Sequence, residues 1–330
     1  MGGRAFGFDA KRMDKDEYDD VLALTLARID SSHDIPGMGK GVISVKEKDS
    51  FGDIDILVPS EYFNFDAFWD KHKFRYKEYV RNGGVVSILD KQDRQIDIIS
   101  TPLSLYDTHF KYLAYNDFGN FVGRLAKSIN LKYGHDGLTL VVRSKDDATR
   151  KIGEIRISKD TAYIYQLLDV SVPAGGFNNM QEVYDVIMAS KYYHKDLFSL
   201  DKQTNKARVR DRKRKSYNEL LAYIKERDTS TRERRRYSIF ETLYLLTSTR
   251  MDIKNMHLIP HHAAASYVEM VAKYDKAMFE KTLYNGNIVR ELVGLEGKEL
   301  GAFMKFMSGR IAVYGDVDKQ VLAMYKLYCK

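Results

Sequence analysis

Apolar positions along this chain change their period about half-way. Early on, Lys15 to Ile29 places Tyr18, Leu22, Leu26 and Ile29 three or four residues apart with acids at the start, which predicts an amphipathic helix. A turn-rich loop follows at Ser31, Ser32, Pro36, Gly37, Gly39 and Gly41. Ile54 to Val58 reads as a buried strand, and Val85 to Leu89 with Gln95 to Ile99 flank the polar turn Asp90 to Arg94 as a hairpin. A second hairpin is expected from Leu138 to Arg143 and Ile152 to Ile157. From Asp160 onward the spacing is helical: Tyr163–Leu168, Met180–Tyr193, Tyr217–Ile224, Tyr237–Leu246, Ala263–Leu283 and Val317–Tyr328. The pattern predicts an α+β catalytic segment, 1–159, then a mostly helical one, 160–330, with Lys202 to Lys215 as a mobile connection.

Composition sets limits on this picture. With 330 residues, 44% of them hydrophobic and 30% charged, the chain has the make-up of a globular protein of two domains. No stretch approaches the roughly 18 apolar residues of a membrane span. Met1 to Asp20 is charged and does not read as a signal peptide, and the one cysteine, Cys329, leaves no intrachain disulfide and no Cys-based zinc site. A cytoplasmic location is expected. The net charge of +7 is concentrated: Lys206 to Arg236 holds 13 Lys or Arg against 5 Asp or Glu. That stripe points to a polyanionic partner.

The chemistry begins at Gly52-Asp53-Ile-Asp55-Ile-Leu-Val. Alternate side chains of a strand share a face, so Asp53 and Asp55 project together while Ile54, Ile56 and Val58 turn to the core. Two carboxylates that close repel unless a cation sits between them. Hard oxygen ligands of this kind suit Mg²⁺ or Mn²⁺. Gly52 lets a backbone or a triphosphate approach closely. In Gln95-Ile-Asp97-Ile-Ile, Asp97 is a lone charge in an apolar strand, costly there unless paired or bound to metal. Three aspartates on two neighbouring strands can hold two metal ions.

These residues resemble the DNA polymerase β superfamily of nucleotidyltransferases, most of all the family X polymerases, over about Gly37 to Leu138. The resemblance implies a palm: a mixed sheet with helices on one side, two Mg²⁺ ions on Asp53, Asp55 and Asp97, and an NTP or dNTP as donor. Tyr112, Asn120 and Arg124 stand at the family's intervals after Asp97. There the Tyr and Asn touch the incoming nucleotide and the Arg reaches the template or primer. In place of the family's Gly-Ser turn this chain has Tyr112-Leu113-Ala114-Tyr115-Asn116, so sugar selection does not carry over. Leu292 to Gly301 resembles the helical tail of CCA-adding enzymes and poly(A) polymerases; a helix-hairpin-helix contact or plain helix packing fits its glycine spacing equally.

A nucleotidyltransferase also needs cations and amides around the departing phosphates. The loop from Gly39 to Gly52 offers Lys40, Ser44, Lys46 and Ser50, and the resemblance favours Ser44 and Lys46; a solvated turn at Lys46 to Asp49 is the other reading. Arg208, Arg210, Arg212, Lys213, Arg214 and Lys215 precede Tyr217, and Arg234, Arg235 and Arg236 precede Tyr237. Cations track phosphates and tyrosines can stack on unpaired bases, although these tyrosines also fit a core. The expected activity is addition of nucleotides to a nucleic-acid 3′-hydroxyl, RNA favoured over DNA. The alternatives are a family X-like DNA polymerase, transfer to a small molecule or protein, and a non-catalytic nucleic-acid-binding protein.

Overall fold

The structure, a computed structural model, describes residues 4–32, 37–144, 147, 150–229, 234–248, 259–282, 284–311 and 316–329. Pro36 of the glycine-rich loop therefore lies outside the described residues. The chain divides into two compact units, 1–140 with 156–260 and 141–155 with 261–330. This cut differs from the expected segments 1–159 and 160–330.

The centre of the first unit is a five-stranded mixed sheet. Its strands are β1 (Lys40–Gly41), β2 (Asp53–Pro59), β3 (Tyr76–Asn82), β4 (Val85–Asp90) and β5 (Gln95–Thr101), in the order β1-β2-β5-β4-β3. Only β2 and β5 run parallel. Alternation along the strands makes two unlike faces. One carries Ile54, Ile56, Val58, Val86, Ile88, Ile96 and Ile98, all buried in a core with Tyr18, Val21 and Ile29 of α1 (Lys15–Ser31) and Phe65 and Phe68 of α2 (Phe65–His72). Each such side chain contributes about 1.5–3 kcal/mol by leaving water. Helix α1 starts where it does because the Asp14 carboxylate accepts from the Glu17 amide at 2.9 Å, and Asn64 caps α2 in the same way.

The opposite face carries the polar positions of the same strands: Asp53 and Asp55 on β2, Asp97 on β5 and Ser87 on β4. Helix α3 (Tyr106–Leu113) and α4 (Phe118–Ser128) follow the sheet. Between them Tyr115 and Asn116 both take the left-handed backbone conformation, with φ of 60° and 62°. Strands β6 (Leu131–Gly134), β7 (Gly137–Arg143) and β8 (Lys151–Ser158) form a second sheet in that order, so the expected second hairpin is present.

Helices α5 (Thr161–Leu167), α6 (Met180–Ala189), α7 (Asn205–Arg212), α8 (Lys215–Arg227) and α9 (Ile239–Ser248) complete the first unit. Helix α7 corrects an expectation. Lys202 to Lys215 is not a loose connection, because Asp211 is fully buried there and ion-paired to Arg124 of α4.

The second unit contains α10 (Ile259–Thr282), which starts in the first, and α11 (Gly286–Val293), α12 (Gly297–Met307) and α13 (Val317–Tyr328). Val289, Phe303, Met307, Val317 and Val321 form its core. Gly294 ends α11 in the left-handed conformation, φ 73°, so the Leu292 to Gly301 glycine spacing marks a helix C-cap. No helix among the described residues is long and apolar enough to cross a membrane.

Candidate metal centre

Register brings the three aspartates together. Asp55 lies directly opposite Asp97 in the parallel β2–β5 pair, and Asp53, two residues earlier on the same face, lies opposite Gln95. One carboxylate oxygen from each of Asp53, Asp55 and Asp97 lies within 4.8 Å of the other two, and all three residues are partly buried.

So many acids so close cannot all ionise at ordinary cost. Burial raises the Asp55 carboxyl well above the usual carboxylate range, and the charges of Asp53 and Asp97 raise it further. Burial likewise pushes Asp97 up to about 6, partly resisted by hydrogen bonds from Ser87 and Gln95. The Gln95 amide nitrogen donates to both Asp97 oxygens, at 2.9 and 3.0 Å, which fixes the carboxylate's orientation. Three convergent hard oxygens whose joint ionisation needs compensating positive charge form a donor set that can hold a divalent cation of the Mg²⁺ or Mn²⁺ class.

Asp53 and Asp55 open into a cleft of about 350 Å³, lined also by Lys48, Tyr112, Asn120 and Arg214 among others. That lies within the range of about 300–1,000 Å³ for small-molecule sites. Tyr112 and Asn120 therefore reach the cleft. Gly119 makes this possible, since a Cβ there would collide with the Tyr112 carbonyl oxygen. Arg210 donates to Asn120 Oδ1 at 3.1 Å, whereas the buried Asn120 Nδ2 has no hydrogen-bond partner among the described residues.

Other expected residues lie elsewhere. Arg124 is 4% exposed, donates to Gln203 at 2.9 Å and ion-pairs with Asp211, so it cannot reach a template or primer strand from there. Lys46 donates to Asn178 at 3.1 Å, and Ser50 accepts from Arg12 at 2.8 Å. The Lys40 ammonium lies 5.5 Å from the centre of the Tyr106 ring, and Gly39 packs against Leu26. Ser44 does line the cleft, where it accepts from Lys48 at 3.3 Å. Gly52, Lys213 and Lys215 border a wider groove beside the cleft.

Lys48 is the cation that sequence reasoning missed. It stands 4.4 Å over the Phe51 ring; burial lowers its ammonium's pKa, and the charges of Asp53 and Asp55 work against that. The choice between Lys46 and Lys48 is made far away in sequence. The amides of Lys46 and Glu47 donate to the carbonyls of Phe177 and Asn178, which holds Lys46 against that loop. Arg214, expected among the nucleic-acid contacts, lies in the cleft instead, ion-paired to Asp117, which also accepts from Ser216. Arg208, Arg212, Arg234, Arg235 and Arg236 do not line the cleft; Arg212 and all three of the later arginines are exposed. Tyr217, expected to stack on bases, is fully buried. No family model matches this chain, and no curated protein matches it.

Proposed function

We propose that the chain is a nucleotidyltransferase that adds nucleotides from an NTP or dNTP to a nucleic-acid 3′-hydroxyl, RNA favoured, with release of pyrophosphate. The observation that carries this reading is the carboxylate triad: three aspartates on two adjacent parallel strands, converging within 4.8 Å, two of which, Asp53 and Asp55, line a cleft. The sheet order β1-β2-β5-β4-β3 supports a nucleotidyltransferase palm.

Asp53, Asp55 and Asp97 would hold two divalent cations, Mg²⁺ or Mn²⁺. Bound there, the cations would lower the pKa of an attacking hydroxyl and offset charge on the transferring phosphoryl group. The chain's own residues then have distinct tasks. Lys48 puts positive charge in the cleft, where the departing phosphates need it, and Arg214, paired with Asp117, adds guanidinium donors to its wall. Asn120 Nδ2 offers a buried donor, and Tyr112 a half-buried aromatic wall, to the nucleotide. Gln95 keeps the Asp97 carboxylate aligned.

The test is incubation of the full chain with each labelled NTP and dNTP, Mg²⁺ or Mn²⁺, and RNA or DNA oligonucleotides. Extension of the oligonucleotide supports the reading. Label on a protein or small-molecule acceptor would move the acceptor, and no transfer to any acceptor would sink the enzyme assignment.

A further inference from the structure

The two tyrosines that follow the basic clusters are poor stacking surfaces. Tyr217 is fully buried, and Tyr237 is half-buried against Tyr192 with the Arg235 guanidinium 4.5 Å from its ring centre. The exposed aromatics are the next ones along, Phe240 and Tyr244 on α9, with 75% and 70% of their surface in water. They are four residues apart, so both rings stand on one face of the helix. The other face is firmly seated: Thr242 and Leu246 are fully buried. The Thr242 hydroxyl donates to the Ile129 carbonyl at 3.0 Å, and Asn130 Nδ2 donates to the Tyr237 carbonyl at 2.8 Å. Two large rings are thus held in water on an anchored support, which marks a binding surface rather than a core face.

Charge selects the occupant. Arg234, Arg235 and Arg236 lead into α9, and all three are exposed. Arg235 is committed to Glu241 at 3.0 Å, so the acid on this face is already neutralised. Among the described residues Arg234 and Arg236 have no ion pair, which leaves a net positive segment leading into the helix that carries the two aromatic rings. A strand of unpaired bases matches both parts, since bases stack on aromatic side chains while phosphates pair with arginine. Bases in a duplex have both faces covered and do not match.

We infer that α9 is a stacking platform for single-stranded nucleic acid, with Phe240 and Tyr244 taking bases and Arg234 and Arg236 taking phosphates. This names the form of the acceptor and rests on the nucleotidyl-transfer reading. The test is anisotropy of a fluorescein-labelled uridine 12-mer with the full chain, over a salt series and without nucleotide or divalent cation. The Phe240→Ala/Tyr244→Ala variant should bind about tenfold weaker or worse, with an unchanged salt slope and an unchanged Tm because both side chains are exposed. Arg234→Gln/Arg236→Gln should instead reduce the slope by about 1.4. Phe240→Trp/Tyr244→Trp should keep the affinity. Unchanged affinity in the double-alanine variant overturns the platform. So does an equal loss on a duplex of the same length, or self-association of the wild type that the variant abolishes while 12-mer binding stays intact. Since no nucleotide is present, a chain that shows this binding pattern yet transfers nothing keeps the platform and loses only the catalytic reading.

Discussion

Asp55 and Asp97 face each other across the only parallel strand pair of the central sheet; the Asp97 charge raises the cost of ionising Asp55, and burial with the Asp53 charge does the same at Asp97. For Asp97 the rise from 3.8 to about 6 corresponds to about 3 kcal/mol. The folded chain holds this proton to higher pH than the unfolded chain does. Its contribution to stability is therefore full below about pH 4 and is lost as pH rises through 6. His109 acts in the opposite sense, because burial depresses its pKa to about 4 and stability is lost as pH falls toward that value. The wild-type profile alone mixes the two. In chelator the Tm of Asp97→Asn minus that of the wild type should grow from pH 5 to pH 7.5, and millimolar Mg²⁺ should shrink the difference at pH 7.5. A difference independent of pH would show that Asp97 is not under this strain.

The double variant Asp53→Asn/Asp55→Asn should leave the fold intact and abolish nucleotide transfer. Removing two crowded negative charges should even raise the metal-free Tm at pH 7.5. Thermal melts in chelator and in Mg²⁺ check this, since only the wild type should be stabilised by the cation. A variant that transfers nucleotide at the wild-type rate would remove these residues from the site.

Arg124 should behave as a structural residue. Its ion pair with Asp211 is buried on both sides, so Arg124→Ala leaves that buried carboxylate with only the more exposed Arg210 as a cation and should cost up to about 3–5 kcal/mol. Arg124→Met/Asp211→Leu should recover much of that loss, because both charges leave together. Denaturant unfolding gives the stabilities, and oligonucleotide affinity of the refolded double variant should stay close to wild type. A selective loss of affinity without loss of stability would return Arg124 to the substrate.

Local patterns account for what was legible beforehand. Period-2 alternation in Asp53 to Val58 and the apolar setting of Asp97 were enough to put three carboxylates on one face of neighbouring strands. The strand β3, Tyr-Lys-Glu-Tyr-Val-Arg-Asn, went unread because it is an edge strand with six exposed residues in succession and no apolar alternation. Helix α7 was hidden for a related reason: its charged residues suggested solvent, and the partner that buries Asp211 stands 87 residues earlier. Stacking at Tyr217 and Tyr237 was inferred from closeness to arginines in sequence, whereas exposure is decided by which face of each helix meets the core.

Lys48 and Lys46 separate local pattern from tertiary placement most sharply. Both precede the aspartates in the same charged turn, yet only Lys48 lines the cleft, and Lys46 is tied to Asn178. If the cleft binds a triphosphate, Lys48→Ala removes a partly desolvated cation beside its path. Such a group contributes more than a solvated one, because the surrounding dielectric screens it less. Nucleotide affinity should fall about tenfold to a hundredfold in Lys48→Ala, and Lys48→Arg should recover only part of it, since a planar guanidinium does not reproduce the compact point charge of an ammonium. Lys46→Ala should change affinity less than threefold. The measurement is titration of the chain with a non-hydrolysable Mg-NTP analogue, alongside Tm to exclude unfolding. Equal losses in both alanine variants would mean that the turn acts only through its net charge, and a larger loss at Lys46 would place the phosphates on the other side of the 177–178 loop.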